Sequence, residues 1–95
     1  MIDKIEANEL LDVYGGLLTP RPLEILQYYY EEDLSISEIA EELEISRSGV
    51  QDTIHKATKQ LEKYESVVQY VRKKKEAYKA FKDMKNVVEK LDEIF

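Results

Sequence analysis

A chain of 95 residues forms one domain at most, and its core is too small for an enzyme with a large active site. It has no cysteine and a single histidine, His55, which excludes disulfides, zinc-thiolate sites, thiol nucleophiles and histidine-rich metal sites and fits a cytoplasmic location. The charge divides along the chain, since residues 1–45 carry two basic and 12 acidic residues and residues 46–95 carry 12 basic and eight acidic ones.

Helix formers dominate, and three glycines and two prolines leave little room for hairpins, so the sequence predicts an all-α fold. The first helix is predicted over about residues 3–18, with Gly15 and Gly16 marking a close helix crossing. Thr19 and Pro20 begin the second helix, with the threonine side chain as its cap, and it ends near residues 31–33.

The third helix is predicted to be short and to begin at a capping box, since Ser35 and Glu38 stand at that spacing. Ser46 caps the fourth helix, on which small or apolar positions alternate in steps of four and three from Val50 to Val71. That seam has no apolar member over residues 72–76, so a break is predicted there, followed by a fifth helix over about residues 75–94.

Tyr28, Tyr29 and Tyr30 are consecutive on the second helix, where three residues sweep about 200°. They cannot all be buried. One or two of them are predicted to lie in the core, because aromatic side chains anchor many small cores.

The linker between the third and fourth helices is the most specific feature of the chain. Only Glu44 and Ile45 precede the Ser46 cap, and Ala40 is small where the helices must approach, which is typical of a helix-turn-helix. Residues 18–61 resemble region 4 of bacterial sigma factors through the core L-S-x-x-E-I-A-x-x-L-x-I-S-R-x-x-V.

With LLDVYGGLL, YYYEEDLS and SRSGVQDTI included, the chain more closely resembles the small bacterial YlxM family of sigma-70 region 4-like proteins. The resemblance implies a regulatory role in the signal recognition particle (SRP) pathway, and we take the SRP GTPase, the SRP RNA or both as the expected partners. The helix pattern predicts a helix-turn-helix domain over residues 1–64, with a helical extension over residues 65–95 that packs on it or forms a dimer. No cofactor-binding motif occurs, so no cofactor is expected.

One residue departs from the usual pattern. Glu44 occupies the turn position that is usually glycine in a helix-turn-helix, and a non-glycine residue at positive φ carries a penalty of about 1 kcal/mol. The turn is therefore expected to differ in detail.

The candidate recognition surface lies on the fourth helix, opposite its apolar seam. Arg47 and Lys56 suit phosphates, and Gln51 and His55 suit base edges. The predicted partner-binding residues, on this helix and on a later basic run, are Arg47, Ser48, Gln51, His55, Lys56, Lys59, Arg72, Lys73, Lys74 and Lys75.

Two features disfavour DNA as the partner. Asp52 lies in the middle of the surface, and residues 31–44 contain seven acidic residues and no basic one where the motif meets the phosphate backbone. A protein partner is therefore favoured over nucleic acid. The run Arg72–Lys75 suits RNA phosphates or an acidic protein surface. An equally strong alternative is that it is only a solvated helix face that binds no partner.

No catalytic motif occurs, so a non-enzyme is expected. The favoured hypothesis is an SRP-pathway accessory protein, and a DNA-binding transcription regulator is the alternative. A dimerising scaffold stays open, because the fourth and fifth helices either fold on each other as a hairpin or associate with a partner or a second copy of the chain. No apolar run approaches the roughly 18 residues of a membrane span, so no membrane partner is expected.

Overall fold

The computed structural model describes residues 2–94, with side chains to Leu91. Its elements are α1 (Lys4–Tyr14), a 3-10 turn (Gly15–Leu17), α2 (Pro20–Leu26) continued by a π-helical turn (Gln27–Glu31), α3 (Ile36–Leu43), α4 (Arg47–Val68) and α5 (Tyr70–Ile94). No strand occurs within residues 2–94. The all-α prediction is confirmed.

One apolar core holds the first four helices together, and α4 lies at its centre in contact with α1, α2 and α3. On each helix the apolar residues recur at helical spacing and so lie on one face. The four helices pack because these apolar faces meet. The buried apolar residues are Ala7, Leu10, Leu11, Tyr14, Leu18, Ile25, Leu26, Tyr30, Ile39, Ala40, Val50, Ile54, Ala57 and Leu61.

The first helix is shorter than predicted, because it ends at Tyr14 and not near Leu18. The predicted close approach is confirmed at Gly15, where an added Cβ would lie 3.1 Å from Cδ1 of Leu23. Gly16 has open space around it, so no close approach explains that residue.

The predicted side-chain cap on α2 is wrong, since the Thr19 side chain makes no capping hydrogen bond. A capping side chain accepts from the N–H of the second or third helical residue, and the third is Pro22, which has none. At the other end of the helix, Tyr30 is buried and Tyr28 and Tyr29 are half-buried, which confirms that the three tyrosines are not all buried.

The caps and the turn between α3 and α4 form as local elements of a helix-turn-helix. Ser35 and Glu38 form the predicted capping box, and the Ser46 hydroxyl accepts from the N–H of Gly49 at 3.0 Å. Glu44 adopts the left-handed conformation at φ 56° and ψ 43°, and Ile45 N–H donates to the Ala40 carbonyl at 3.0 Å. Glu44 therefore adopts the left-handed conformation that glycine usually supplies at this position.

The break between the last two helices comes earlier than predicted, at Gln69 instead of residues 72–76. The molecule is 67 Å long, whereas a 25-residue helix is only about 37 Å long, so α5 does not fold back along α4 as a hairpin. Its first turns contact α1, and side chains from Arg72 to Leu91 are exposed. None of the helices within residues 2–94 is long and apolar enough to cross a membrane.

Candidate partner-binding surfaces

The predicted recognition residues lie together on the exposed side of α4. Val50, Ile54, Ala57 and Leu61 face the core, as their spacing predicts. We use "recognition face" for the residues on the other side, which are Arg47, Ser48, Gln51, Asp52, His55, Lys56 and Lys59, all exposed. Ser48, Gln51, Asp52 and His55 line one side of a groove whose other side contains Tyr29 and Ile36.

An ion pair within the recognition face reduces the positive charge available to bind an anion. The Lys56 ammonium lies 3.0 Å from the Asp52 carboxylate one helical turn away, so the lysine predicted to bind phosphate is engaged by the acid in the middle of the face. Both side chains are exposed, and such pairs exchange readily with solvent. Arg47 and Lys59 make no ion pair with any described residue.

The surface beside the recognition face is acidic. Glu41, Glu42 and Glu44 are exposed on α3 and its turn, and no basic residue lies on that helix. Burial, followed by the nearby carboxylates of Glu24, Glu42 and Glu32, raises the pKa of Tyr28 above its ordinary value. The acidic surface therefore runs from α2 to the end of α3.

A polar network that the sequence analysis missed sets where α5 begins. The Glu65 carboxylate accepts hydrogen bonds from the N–H groups of Val71 at 3.1 Å and Arg72 at 3.2 Å, so it caps α5 from the last turns of α4. The Tyr14 hydroxyl donates to the same carboxylate at 2.6 Å and accepts from Tyr70 N–H at 3.3 Å. We call residues 65–72 the α4–α5 joint.

The ionised form of Glu65 is the one that caps the helix. Partial burial opposes its ionisation, but the hydrogen bonds from Tyr14 and from two backbone N–H groups prevail and lower the pKa of Glu65. Burial and then the hydrogen bond to Glu65 raise the pKa of Tyr14, which keeps its hydroxyl protonated as a donor. The joint is therefore fixed by a charge-assisted network.

The sequence around the α4–α5 joint lacks the residues that usually mark a helix break. No glycine or proline follows Gly49, and the residue that turns the chain is Gln69, at φ 55° and ψ 32°. The signal that could have located it is a carboxylate, Glu65, several residues ahead of the basic run, since acidic groups stabilise helix N-termini.

The predicted basic cluster, Arg72–Lys75, lies in the first two turns of α5, and its four side chains have different contacts. Arg72 pairs with Glu76 at 3.1 Å, and Lys75 pairs with Glu9 of α1 at 2.8 Å. The hydrogen bond to Glu9 raises the pKa of Lys75. Lys73 and Lys74 are exposed and have no ion pair with the described part of the chain, so they remain available to a partner.

The structure does not bring the two predicted basic regions together. Gln51 and Val68 are 17 residues apart on α4, or about 26 Å along the helix, and the basic cluster lies beyond Val68. A compact ligand bound at Gln51 would therefore not reach the basic cluster. Among the side chains that the structure describes, from Ile2 to Leu91, no group of histidine, aspartate or glutamate is arranged to hold a metal ion.

Comparison with known proteins identifies the family. Residues 1–94 match the model of the UPF0122 family, described as "Putative helix-turn-helix protein, YlxM / p13 like". A UPF0122 protein of Acetivibrio thermocellus is 43% identical over 91 residues, covering 90% of this chain and 78% of that protein. A UPF0122 protein of Malacoplasma penetrans is 39% identical over 85 residues, covering 86% and 79% of the two chains.

A third relative agrees with these two. The UPF0122 protein of Clostridium botulinum is 40% identical over 80 residues, which cover 82% of this chain and 73% of the relative. The match extends through the helix-turn-helix and into α5, and the predicted YlxM resemblance is confirmed. This chain belongs to the UPF0122 family of YlxM / p13-like helix-turn-helix proteins.

Proposed function

We propose that this helix-turn-helix protein is a non-enzymatic regulatory accessory protein of the SRP pathway, which binds the SRP GTPase, the SRP RNA or both. The pathway is what its YlxM membership suggests. The observation that carries the choice of partner is the distribution of charge around the helix-turn-helix.

The acidic α3 supports a protein surface over duplex DNA as the partner of the helix-turn-helix. In this motif the helix before the recognition helix crosses the phosphate backbone. Here residues 36–59 contain five acidic residues against three basic ones, and one of the three, Lys56, is paired with Asp52. Phosphates would be repelled along most of that contact, whereas a basic protein surface would be attracted.

The start of α5 supports a second, separate contact. Lys73 and Lys74 are exposed and carry charges that the fold does not use, and they suit RNA phosphates or acidic side chains. Because they lie beyond the far end of α4 from the recognition face, one large partner or a ribonucleoprotein could contact both surfaces at once.

A salt-series titration tests this proposal. Labelled protein is titrated against the reconstituted particle, as GTPase with RNA and as GTPase alone, with random duplex DNA as competitor. Saturable binding that duplex DNA does not displace is expected. Binding to duplex DNA only, steeply weakened by salt, would contradict the proposal.

A charge-reversal pair locates the second contact. The double variant K73E/K74E is expected to weaken particle binding about tenfold or more and to flatten its salt dependence, because it removes two phosphate or carboxylate contacts. The matched control is K85E/K90E, which makes the same change of net charge near the far end of α5. Equal losses in both variants would show that only net charge matters and would remove Lys73 and Lys74 as contact residues.

A DNA-binding transcription regulator is the second candidate, and one observation favours it. Glu44 adopts the left-handed conformation at the turn, and the exposed recognition face carries Arg47, Ser48, Gln51 and His55. Selection from a random duplex pool separates the candidates. Enrichment of an inverted repeat with half-sites about one helical turn apart would favour this alternative.

A further inference from the structure

The apolar face of α5 is exposed along nearly its whole length. A seam of residues spaced by four and three runs through Ala77, Phe81, Met84, Val88 and Leu91, and Tyr78 and Val87 flank it. Phe81 and Met84 are 65% and 66% exposed, in contrast to the buried seam on α4. A helix with this pattern gains its stability from packing of the apolar face, so a partner for that face is expected.

We propose that this face pairs with the α5 helix of a second copy of the chain, in antiparallel orientation. Six large apolar side chains on it are 48–69% exposed, namely Tyr78, Phe81, Met84, Val87, Val88 and Leu91. Burying them in both copies would remove roughly 1,200 Å² from solvent, which reaches the lower end of stable specific interfaces. The face is therefore large enough for a dimer.

The charges of α5 select the orientation. Residues 70–82 contain six basic residues and one acidic residue, whereas residues 83–95 contain four acidic residues and two basic ones. Parallel pairing would place two strongly basic segments side by side. Antiparallel pairing places each basic segment beside the acidic segment of the other copy, and like-charge juxtaposition is a strong discriminator between arrangements.

The body of the molecule offers a continuation of this interface. Between α1 and α5 lies a cleft of about 330 Å³, with Val13, Val71 and Tyr78 as its apolar walls. In an antiparallel pair, residues near 77 of one copy lie opposite residues near 91 of the other. The end of the second copy's α5 therefore lies beside this cleft. The two-fold axis passes near Met84, and the interface is the same surface on both copies.

The oligomeric state gives the first test. Wild-type protein is expected to change from monomer to dimer as its concentration rises in sedimentation equilibrium. The variant Met84→Glu should raise the dimer dissociation constant at least 100-fold, while Asn86→Glu, two residues on and on the opposite side of α5, should change it less than threefold. Wild-type protein that stays monomeric at all concentrations, or equal effects of the two variants, would overturn the proposal.

Crosslinking tests the orientation and does not depend on the glutamate variants. Because the chain has no cysteine, single cysteines can be placed at will and joined by a short bismaleimide. Met84→Cys should crosslink to itself, whereas Ala77→Cys and Leu91→Cys should crosslink only when mixed, since each lies about 20 Å from its own copy. Self-crosslinking at all three positions would mean a parallel pair and would overturn the antiparallel arrangement.

The same experiments distinguish a second copy of the chain from the SRP GTPase as the partner of this face. If the protein is monomeric and Met84→Glu weakens binding to the SRP GTPase instead, that GTPase covers the face and the dimer is ruled out. The dimer does not rest on the proposed SRP role, because self-association is measured with the purified chain alone.

Discussion

Two turns in this molecule have nearly the same backbone conformation and are held by different forces. Glu44 turns the chain between α3 and α4 at φ 56°, and Gln69 turns it between α4 and α5 at φ 55°. Neither is glycine, so each carries a penalty of about 1 to 2 kcal/mol for the left-handed conformation. What differs is the structure that compensates for it.

The first turn is compensated by burial. Ile39 and Ala40 precede it and Val50 follows it, all of them buried, so the core determines how α3 and α4 cross. The second turn is compensated by polar groups, chiefly the Glu65 carboxylate and the Tyr14 hydroxyl. A turn held by apolar packing should respond to loss of volume, and one held by hydrogen bonds should respond to loss of charge.

Loss of volume beside the first turn should have the largest effect. Val50→Ala is expected to lower the free energy of unfolding of the domain by about 2 kcal/mol, because Val50 is fully buried and the smaller side chain leaves a cavity. Val67→Ala on the same helix is the matched control, and since Val67 is 77% exposed it should change stability by less than about 0.5 kcal/mol. Urea denaturation followed by circular dichroism measures both, and similar losses would contradict the comparison.

Loss of charge at the second turn should act locally. Glu65→Gln is expected to speed hydrogen exchange of the Val71 and Arg72 amides about tenfold, since the amide side chain is a weaker acceptor than the carboxylate, and to leave the core little changed. Glu62→Gln, one turn earlier and exposed, is the control. A drop in core stability comparable to that of Val50→Ala would show that the joint is part of the core.

Replacement by glycine should separate the two turns further. Glu44→Gly is expected to raise the free energy of unfolding by about 0.5 to 1 kcal/mol, because glycine adopts positive φ without strain. Gln69→Gly should not raise it, because Gln69 is exposed and so are its two neighbours, Val68 and Tyr70. Thermal unfolding of both variants checks this, and a stabilised Gln69→Gly protein would place the joint within the cooperative unit.

Acid should weaken the second turn through Glu65, and this is the smallest of the four expected effects. The pKa of Glu65 is lowered, so its contribution is complete above the ordinary glutamate pKa of 4.5 and is lost as pH falls through the lower value in the folded protein. The amide chemical shifts of Val71 and Arg72 should therefore stay constant down to about pH 4.5 and change below it. The Glu65→Gln variant should lack that change, and a wild-type transition above pH 4.5 would be inconsistent with a lowered pKa.

The core elements could be predicted because they rest on spacing and caps. Helical periodicity identified the buried face of α4, and the Ser35 and Glu38 pair identified the start of α3. The end of α1 was misplaced because a 3-10 turn through Gly15 depends on the packing of Leu23 against it, a contact distant in sequence. The packing that holds Glu44 at positive φ, with Ile39 and Val50 buried on either side of the turn, has no local sequence signal.

The candidate surfaces were predictable as a set of exposed residues but not as a set of available charges. The residues opposite the α4 seam are exposed as expected, yet the pairing of Lys75 with Glu9 joins positions 66 residues apart, which no local pattern reveals. The joint was placed at the gap in the apolar seam, whereas Glu65 and Tyr14 fix it three residues earlier, at Gln69. A hydrogen bond between residues 51 positions apart carries no sequence signature.

The distance between α3 and α5 tests most directly whether the polar joint fixes the direction of α5. Spin labels on cysteines introduced at Glu41 and Lys82, both exposed, report this distance by pulsed electron resonance in samples diluted with unlabelled protein. We expect one narrow distance distribution in the otherwise wild-type protein, the same distribution with Glu62→Gln, and a clearly broader one with Glu65→Gln. Equally narrow distributions in all three proteins would contradict a direction set by the Glu65 carboxylate.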